Sequence, residues 1–189
     1  MQKEIDPRDV FIKGKKVILK VLTREDVLNS NWYGWFNDEE LCKTLQKHYF
    51  PNSVEKQLEF WENNVLNGRN RIQLGICKSA SHELLGIISL NNIDHINSKA
   101  EISAVIGEKN NHDVATFIEA CKLIFNHGFN SLNLNRIYGG SISKDLVKLM
   151  CRTLGCKEEG IARKEIFKNG TYHDSYLYGL LREEFNFKL

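Results

Sequence analysis

The chain has 189 residues, 42% hydrophobic and 26% charged, with 26 Lys and Arg against 24 Asp and Glu. That length fits one domain whose core needs no metal or disulfide. The formal charge of +2 argues against nucleic acid or another polyanion as main partner, and no run approaches the ~18 apolar residues of a membrane span.

The opening MQKEIDPRDVFIKGKK is charged from its third residue and has no apolar centre, so it does not read as a secretion signal. Five cysteines (Cys42, Cys77, Cys121, Cys151, Cys156) are scattered and never spaced C-x-x-C. They predict reduced, mostly buried thiols in a cytoplasmic protein, with no metal site. Without repeats or a linker, one domain over 13–189 is expected behind a loose N-terminal extension, residues 1–12.

Residues 16–22, KVILKVL, predict a first strand. Thr23 caps a short helix whose first turn holds Glu25 and Asp26. Residues 31–47, rich in tryptophan, read as a helical or irregular excursion. Pro51 breaks the chain and Ser53 caps a helix over 54–66, with Val54, Leu58, Trp61 and Val65 at helical spacing. Strands follow at 71–77, 83–92 and 100–107. The long helix 114–129 carries Phe117, Cys121, Ile124, Phe125 and Gly128 on one face. A strand at 134–140, a helix at 143–154 stopped by Gly155, and strands 157–168 and 171–181 complete the chain. Asn169-Gly170 joins the last two as a hairpin. The order predicts an α/β (α+β) fold with a mixed central sheet of about seven strands and helices on both faces.

Several phrases in this order resemble one family: NWYGWFND, LLGIISLNNID, AEISAVIG, EACKLIFNHGFNSLNLNRIYGG and LGCKEEGIARKEIFKNGTYHDSYLYGLLREEF. Over residues 13–185 the chain resembles GNAT-fold N-acetyltransferases, most closely the RimJ/RimL group that acetylates ribosomal-protein N-termini. The resemblance implies acetyl-CoA as donor, no metal, and a primary amine as acceptor: a protein N-terminus, an aminosugar nucleotide or a small amine. The lean is toward a protein N-terminus. A homodimer is left open. It also implies that Ala104, Val105, Ile106 and Gly107 pair with the donor's pantetheine arm. The pyrophosphate would sit on Lys109, Asn110, Asn111, His112, Asp113, Val114 and Ala115. There Asp113 stands where relatives keep a glycine and Asn110 where they keep Arg or Gln. Cys151 occupies the place of the tyrosine that protonates the leaving thiolate in many relatives; the other reading is a buried helix cysteine.

Amide formation calls for a free amine, an oxyanion donor and a proton for the thiolate. A backbone N–H near Val105 or Ile106 is the expected oxyanion donor. Glu101 is the first candidate base, with a salt-bridged strand carboxylate as the alternative. His173, next to Asp174, is the second, with a surface turn as the alternative. Tyr172, Tyr176 and Tyr178 share one strand face, and Tyr172 is the candidate acceptor contact among them. Trp35 and His48 are candidate acceptor contacts from the early aromatic region. The altered phosphate loop also motivates a second reading, a GNAT-shaped binding module without catalysis.

Overall fold

The computed structural model describes residues 6–108 and 113–187. Eight strands form one sheet: β1 (Val10–Lys13), β2 (Val17–Val21), β3 (Ile72–Lys78), β4 (Leu84–Asp94), β5 (Lys99–Ile106), β6 (Arg136–Ser141), β7 (Lys157–Lys168) and β8 (Thr171–Leu181). Their spatial order is β1-β2-β3-β4-β5-β6-β8-β7. Every neighbouring pair is antiparallel except β5–β6, which is parallel. The strand beyond the expected seven is β1, in the segment expected to be loose. It pairs with β2 from Val10–Lys20 to Lys13–Ile18, and four residues are too few for a period-2 pattern to declare itself.

Helices cover both faces, as the alternation of apolar positions dictates. On one face lie α4 (Val114–Asn130) and α5 (Lys144–Leu154). Ala120, Cys121, Ile124, Phe125, Val147 and Met150 from these helices meet Leu19, Ile76, Ile88, Leu90, Ile102 and Ile137 from the strands. On the other face lie α1 (Arg24–Asn29), α2 (Trp32–Trp35) and α3 (Val54–Phe60). Val27, Trp32, Trp35 and Trp61 there cover Ile87 and Val105. The 31–47 excursion holds only the single turn α2. The helix expected over 54–66 changes at Trp61 to π-type winding through Leu66. There the Trp61 indole N–H donates to the Leu22 carbonyl at 2.9 Å, tying the helix to the end of β2.

Caps and turns follow the local sequence. Thr23 and Asp26 form a reciprocal capping box on α1. Asp26 also receives the Lys20 ammonium at 2.7 Å, in a nearly buried pair joining α1 to β2. Asn169 and Gly170 both take positive φ between β7 and β8, matching a two-residue hairpin turn. The described cysteines are all free; Cys42, Cys77, Cys121 and Cys156 are buried and Cys151 half-buried.

The close of β5 depends on a missing side chain. A Cβ on Gly107 would lie 2.0 Å from the Trp35 indole, which is itself 1% exposed and donates its N–H to Glu108 at 3.0 Å. Neither the backbone nor a buried indole can move aside cheaply. Gly107→Ala is therefore expected to destabilise the fold by about 1–3 kcal/mol, measured as a lowered urea midpoint with an unchanged slope.

Candidate active site

The sheet comes apart at one place. β5 pairs with β4 as far as Ile106, but with β6 only through Lys99–Arg136, Ala100–Ile137 and Glu101–Tyr138. Beyond that point β6 follows β8, to the Ser141–Tyr176 pair. A wedge thus opens between β5 and β6, with its apex at Glu101 and Tyr138. The Gly107 N–H donates to the Leu85 carbonyl at 2.8 Å, so Gly107 spends that group on β4. By the alternation of an antiparallel ladder, Val105 and Ser103 do the same. The N–H of Ile102 is spent on the last β5–β6 bridge, at Glu101–Tyr138, while Ala104 and Ile106 turn their amide groups into the wedge. Of the two expected oxyanion donors, Ile106 and not Val105 faces the gap.

Two chemically useful side chains meet at the apex, one from each face. Glu101, half-buried, projects to the α1–α3 side and accepts the Asn92 amide at 3.0 Å. Tyr178 of β8 lies on the opposite side, 6% exposed. It crosses the bare backbone of Gly139, where a Cβ would meet its hydroxyl at 2.6 Å and Ile102 of β5 at 3.2 Å. The phenol thus reaches from β8 over β6 to the first unpaired residue of β5. Burial pushes its pKa up, so it stays a neutral O–H donor. Tyrosine alternation marked Tyr178 only as a packing residue; the signal was the Gly139-Gly140 pair that leaves room for it.

A cleft of about 470 Å³ adjoins the apex on the α1–α3 side. Its floor is a row of polar residues from three strands, Gln73, Ser89 and Ser103, in register, with Asn91 one step along. Its walls are Phe36, the 46–52 segment, Lys56, Gln57, Phe60 and Arg71. The β7–β8 hairpin closes one side: the Tyr49 hydroxyl donates to the Phe167 carbonyl at 2.9 Å, and the Lys168 ammonium donates to the Leu45 and Lys47 carbonyls.

At the start of α4, Asp113 turns back as the helix cap. Its carboxylate accepts the N–H groups of Ala115 at 3.0 Å and Thr116 at 3.3 Å. The Ala115 bond is the largest cause holding its pKa below the usual carboxylate range. The helix terminus suits an anion, but an internal one already engages these two donors. Val114 and Ala115 stand exposed beside it. Lys109, Asn110, Asn111 and His112, the rest of the expected phosphate loop, lie outside the described residues.

The remaining expected residues scatter. Cys151 is half-buried on α5, its pKa raised first by burial and then by Glu158. His173 sits near the hairpin turn, its Nε2 3.2 Å from the Lys168 carbonyl and 3.0 Å from the Thr171 hydroxyl. Five residues of strand separate it from Tyr178, roughly 17 Å. Tyr172 is exposed and stacks on Phe167, 5.0 Å between centroids, away from the cleft lining. Trp35 is buried under Gly107 and offers its indole to Glu108 instead of to a ligand. His48 alone of these lines the cleft, with a positive φ and Nδ1 3.3 Å from the Phe36 carbonyl.

Residues 16–145 match the model of the acetyltransferase (GNAT) domain. YdaF of Bacillus subtilis (strain 168), provisionally named a ribosomal N-acetyltransferase, is 33% identical over 153 residues, 78% of this chain and 81% of that protein. Among solved structures, the spermidine N-acetyltransferase of Vibrio cholerae in complex with CoA and spermine superposes with a TM-score of 0.80 at 20% identity, covering 89% of this chain and 97% of that one. RimL, the ribosomal L7/L12 alpha-N-protein acetyltransferase in complex with coenzyme A, gives 0.78 at 17%, covering 89% and 95%. A parted β5–β6 pair and a domain match across most of the sheet lead to one conclusion: the chain belongs to the GNAT acetyltransferase family and is an acetyl-CoA-dependent N-acetyltransferase.

Proposed function

We propose that this enzyme moves an acetyl group from acetyl-CoA to a primary amine presented in the cleft, by direct attack on the thioester at the wedge apex. The carrying observation is the pairing of Glu101 on one face with the Tyr178 hydroxyl on the other, at the last β5–β6 contact. The wedge fits the donor's pantetheine arm, because the amide groups of Ala104 and Ile106 face it beyond the last β5–β6 bridge. An arm entering from the α4 side brings its sulfur beside Tyr178 and its carbonyl through the sheet toward the cleft. The setting we favour is cytoplasmic, consistent with five free thiols.

The chemistry divides by face. Glu101 removes a proton from the incoming ammonium, since an alkyl amine is mostly protonated at neutral pH. The amine nitrogen then bonds to the thioester carbon while the Ile106 N–H supports the carbonyl oxygen. The carbon–sulfur bond breaks, its electron pair stays on sulfur, and the Tyr178 O–H donates a hydrogen bond to it. As the amide forms, the nitrogen loses its second proton, which neutralises the thiolate; the first leaves through Glu101 to solvent. With its raised pKa, Tyr178 serves as a fixed donor rather than as the source of that proton. The acceptors kept open are a protein N-terminus, favoured by the RimJ/RimL likeness, and a small amine or aminosugar. The non-catalytic reading gains no support from this arrangement.

Thiol release from acetyl-CoA in the presence of an amine panel tests the function directly; binding of acetyl-CoA with no amine-dependent release would overturn it. Within that assay Glu101→Gln should lower kcat about 100-fold, and Tyr178→Phe about 10- to 100-fold, each with CoA affinity within about threefold of wild type. Because burial keeps the phenol protonated, the Tyr178→Phe loss should be uniform from about pH 6 to about pH 9.

Asp113 yields a separate expectation. Its carboxylate competes with a diphosphate for the Ala115 and Thr116 amides. Asp113→Gly frees both and removes a negative charge, so CoA should bind several-fold tighter by calorimetry. The same change removes a helix cap, so thermal stability should fall as affinity rises. Stability from the ionised cap is present above the ordinary aspartate pKa and is lost as pH falls through the lowered native value.

A further inference from the structure

Resting on the reading of the cleft as acceptor site, we infer that the acceptor is an amine carrying an anionic group, a carboxylate or phosphate, and not a polycation. Among the described residues, the cleft lining holds Lys47, Lys56, Arg71 and His48, and no aspartate or glutamate. Such a wall repels a second ammonium and attracts an anion.

Two of the cations lack the partners that would neutralise them. Among the described residues, Arg71 makes no hydrogen bond or ion pair; its guanidinium lies over the Phe60 ring, 5.4 Å from the centroid. The Lys47 ammonium lies over Phe36 at 5.6 Å. The Lys47 pKa is lowered by burial and then by Arg71. The nearest carboxylates are at the margins or engaged. Glu101 acts on Arg71 from the apex, and Glu108 holds the Trp35 indole. Lys56 donates to the Pro51 carbonyl, and Lys168 is committed to backbone carbonyls behind the wall.

The floor shows the same polarity. Gln73, 7% exposed, has its side-chain N–H₂ without a partner, and Asn91, 9% exposed, has its side-chain oxygen without one. Both line the cleft. Burying such groups unpaired is costly, and a two-ended ligand satisfies both. Asn91 sits opposite Glu101 in the β4–β5 register, so its oxygen and the Glu101 carboxylate mark the ammonium end. Gln73 follows Arg71 by two residues on β3, so its N–H₂ and the Arg71 guanidinium mark the anion end. Arginine is well suited to carboxylate or phosphate in paired geometry.

The test uses the full-length enzyme with matched acceptors. One set is amidated hexapeptides beginning Ser-Glu-Glu, Ser-Gln-Gln and Ser-Lys-Lys; the other is glucosamine 6-phosphate against glucosamine. Each is measured by calorimetry with CoA present and by KM for thiol release. The anionic member of at least one set should bind about tenfold or more tightly than its neutral partner, with the gap shrinking as salt rises. Which set shows it identifies peptide or small molecule as the source. Arg71→Gln should collapse that preference to within about twofold, and Arg71→Lys should restore part of it. Equal or better binding of the neutral or cationic members, or no binding by any, overturns the inference. Preferential anion binding without thiol release upholds it while sinking acetyl transfer.

Discussion

The parting of β5 from β6 after the Glu101–Tyr138 pair is the constraint on which the rest of the molecule depends. A parallel ladder carried to its full length would have paired the amide groups of Ala104 and Ile106 with β6 and left no passage through the sheet. Instead β6 is held on its other side by six register positions with β8, while β5 is held by β4 up to Gly86–Ile106. The two strands diverge because each is bound more extensively to its outer neighbour than to the other. Strand twist adds to the divergence. The cost is a row of unsatisfied backbone groups in the middle of a sheet, which is tolerable when a substrate supplies the missing partners.

Packing on both sides keeps that gap in place. Above it, α4 and α5 bury a large aliphatic and aromatic core against the outer flanks of the parting, with Ile102 and Ile137 both in that core. Below it, Trp35 presses on Gly107, where β5 ends. The Tyr178 phenol fills the apex itself, over Gly139. A wedge defined by rigid elements on three sides holds two reacting groups in line more precisely than loops would. The chemistry asks for little else, since a thioester is already activated.

Much of this was legible in the chain itself. The helix caps from Thr23 and Ser53, the Asn169-Gly170 hairpin and the Gly155 stop follow local rules and occur where expected, while Ser143, expected as the first residue of its helix, is its cap. Glu101 was visible as a carboxylate in an otherwise apolar strand. What was not legible depends on pairs distant in sequence. Tyr178 becomes interesting only once β8 is known to lie beside β6 with Gly139 opposite it. The polar floor joins Gln73, Ser89 and Ser103 from three strands, and register alone reveals that they align. Trp35 and Tyr172 misled in opposite ways. A tryptophan in a cleft-forming segment was spent on closing β5, and a tyrosine in phase with Tyr178 ended far along the hairpin. Strand β1 escaped because four residues cannot show a period. Asp113 carried its ambiguity openly, and the geometry resolves it as a cap.

Net charge conceals the charge distribution of the cleft. A formal +2 spread over 189 residues says nothing of a cleft whose described lining includes two lysines, an arginine and a histidine and no carboxylate. The fold is shared with a spermidine N-acetyltransferase in complex with CoA and spermine and with RimL, a ribosomal L7/L12 alpha-N-protein acetyltransferase, so the fold does not choose among acceptors. In the proposed function the choice falls to side chains on the α1–α3 face, the face assigned to the amine. Donor handling, assigned to the α4–α5 face, can then remain constant while the opposite wall changes its charge. A sheet so divided into a donor side and an acceptor side at one broken strand pair would let specificity vary without disturbing the chemistry.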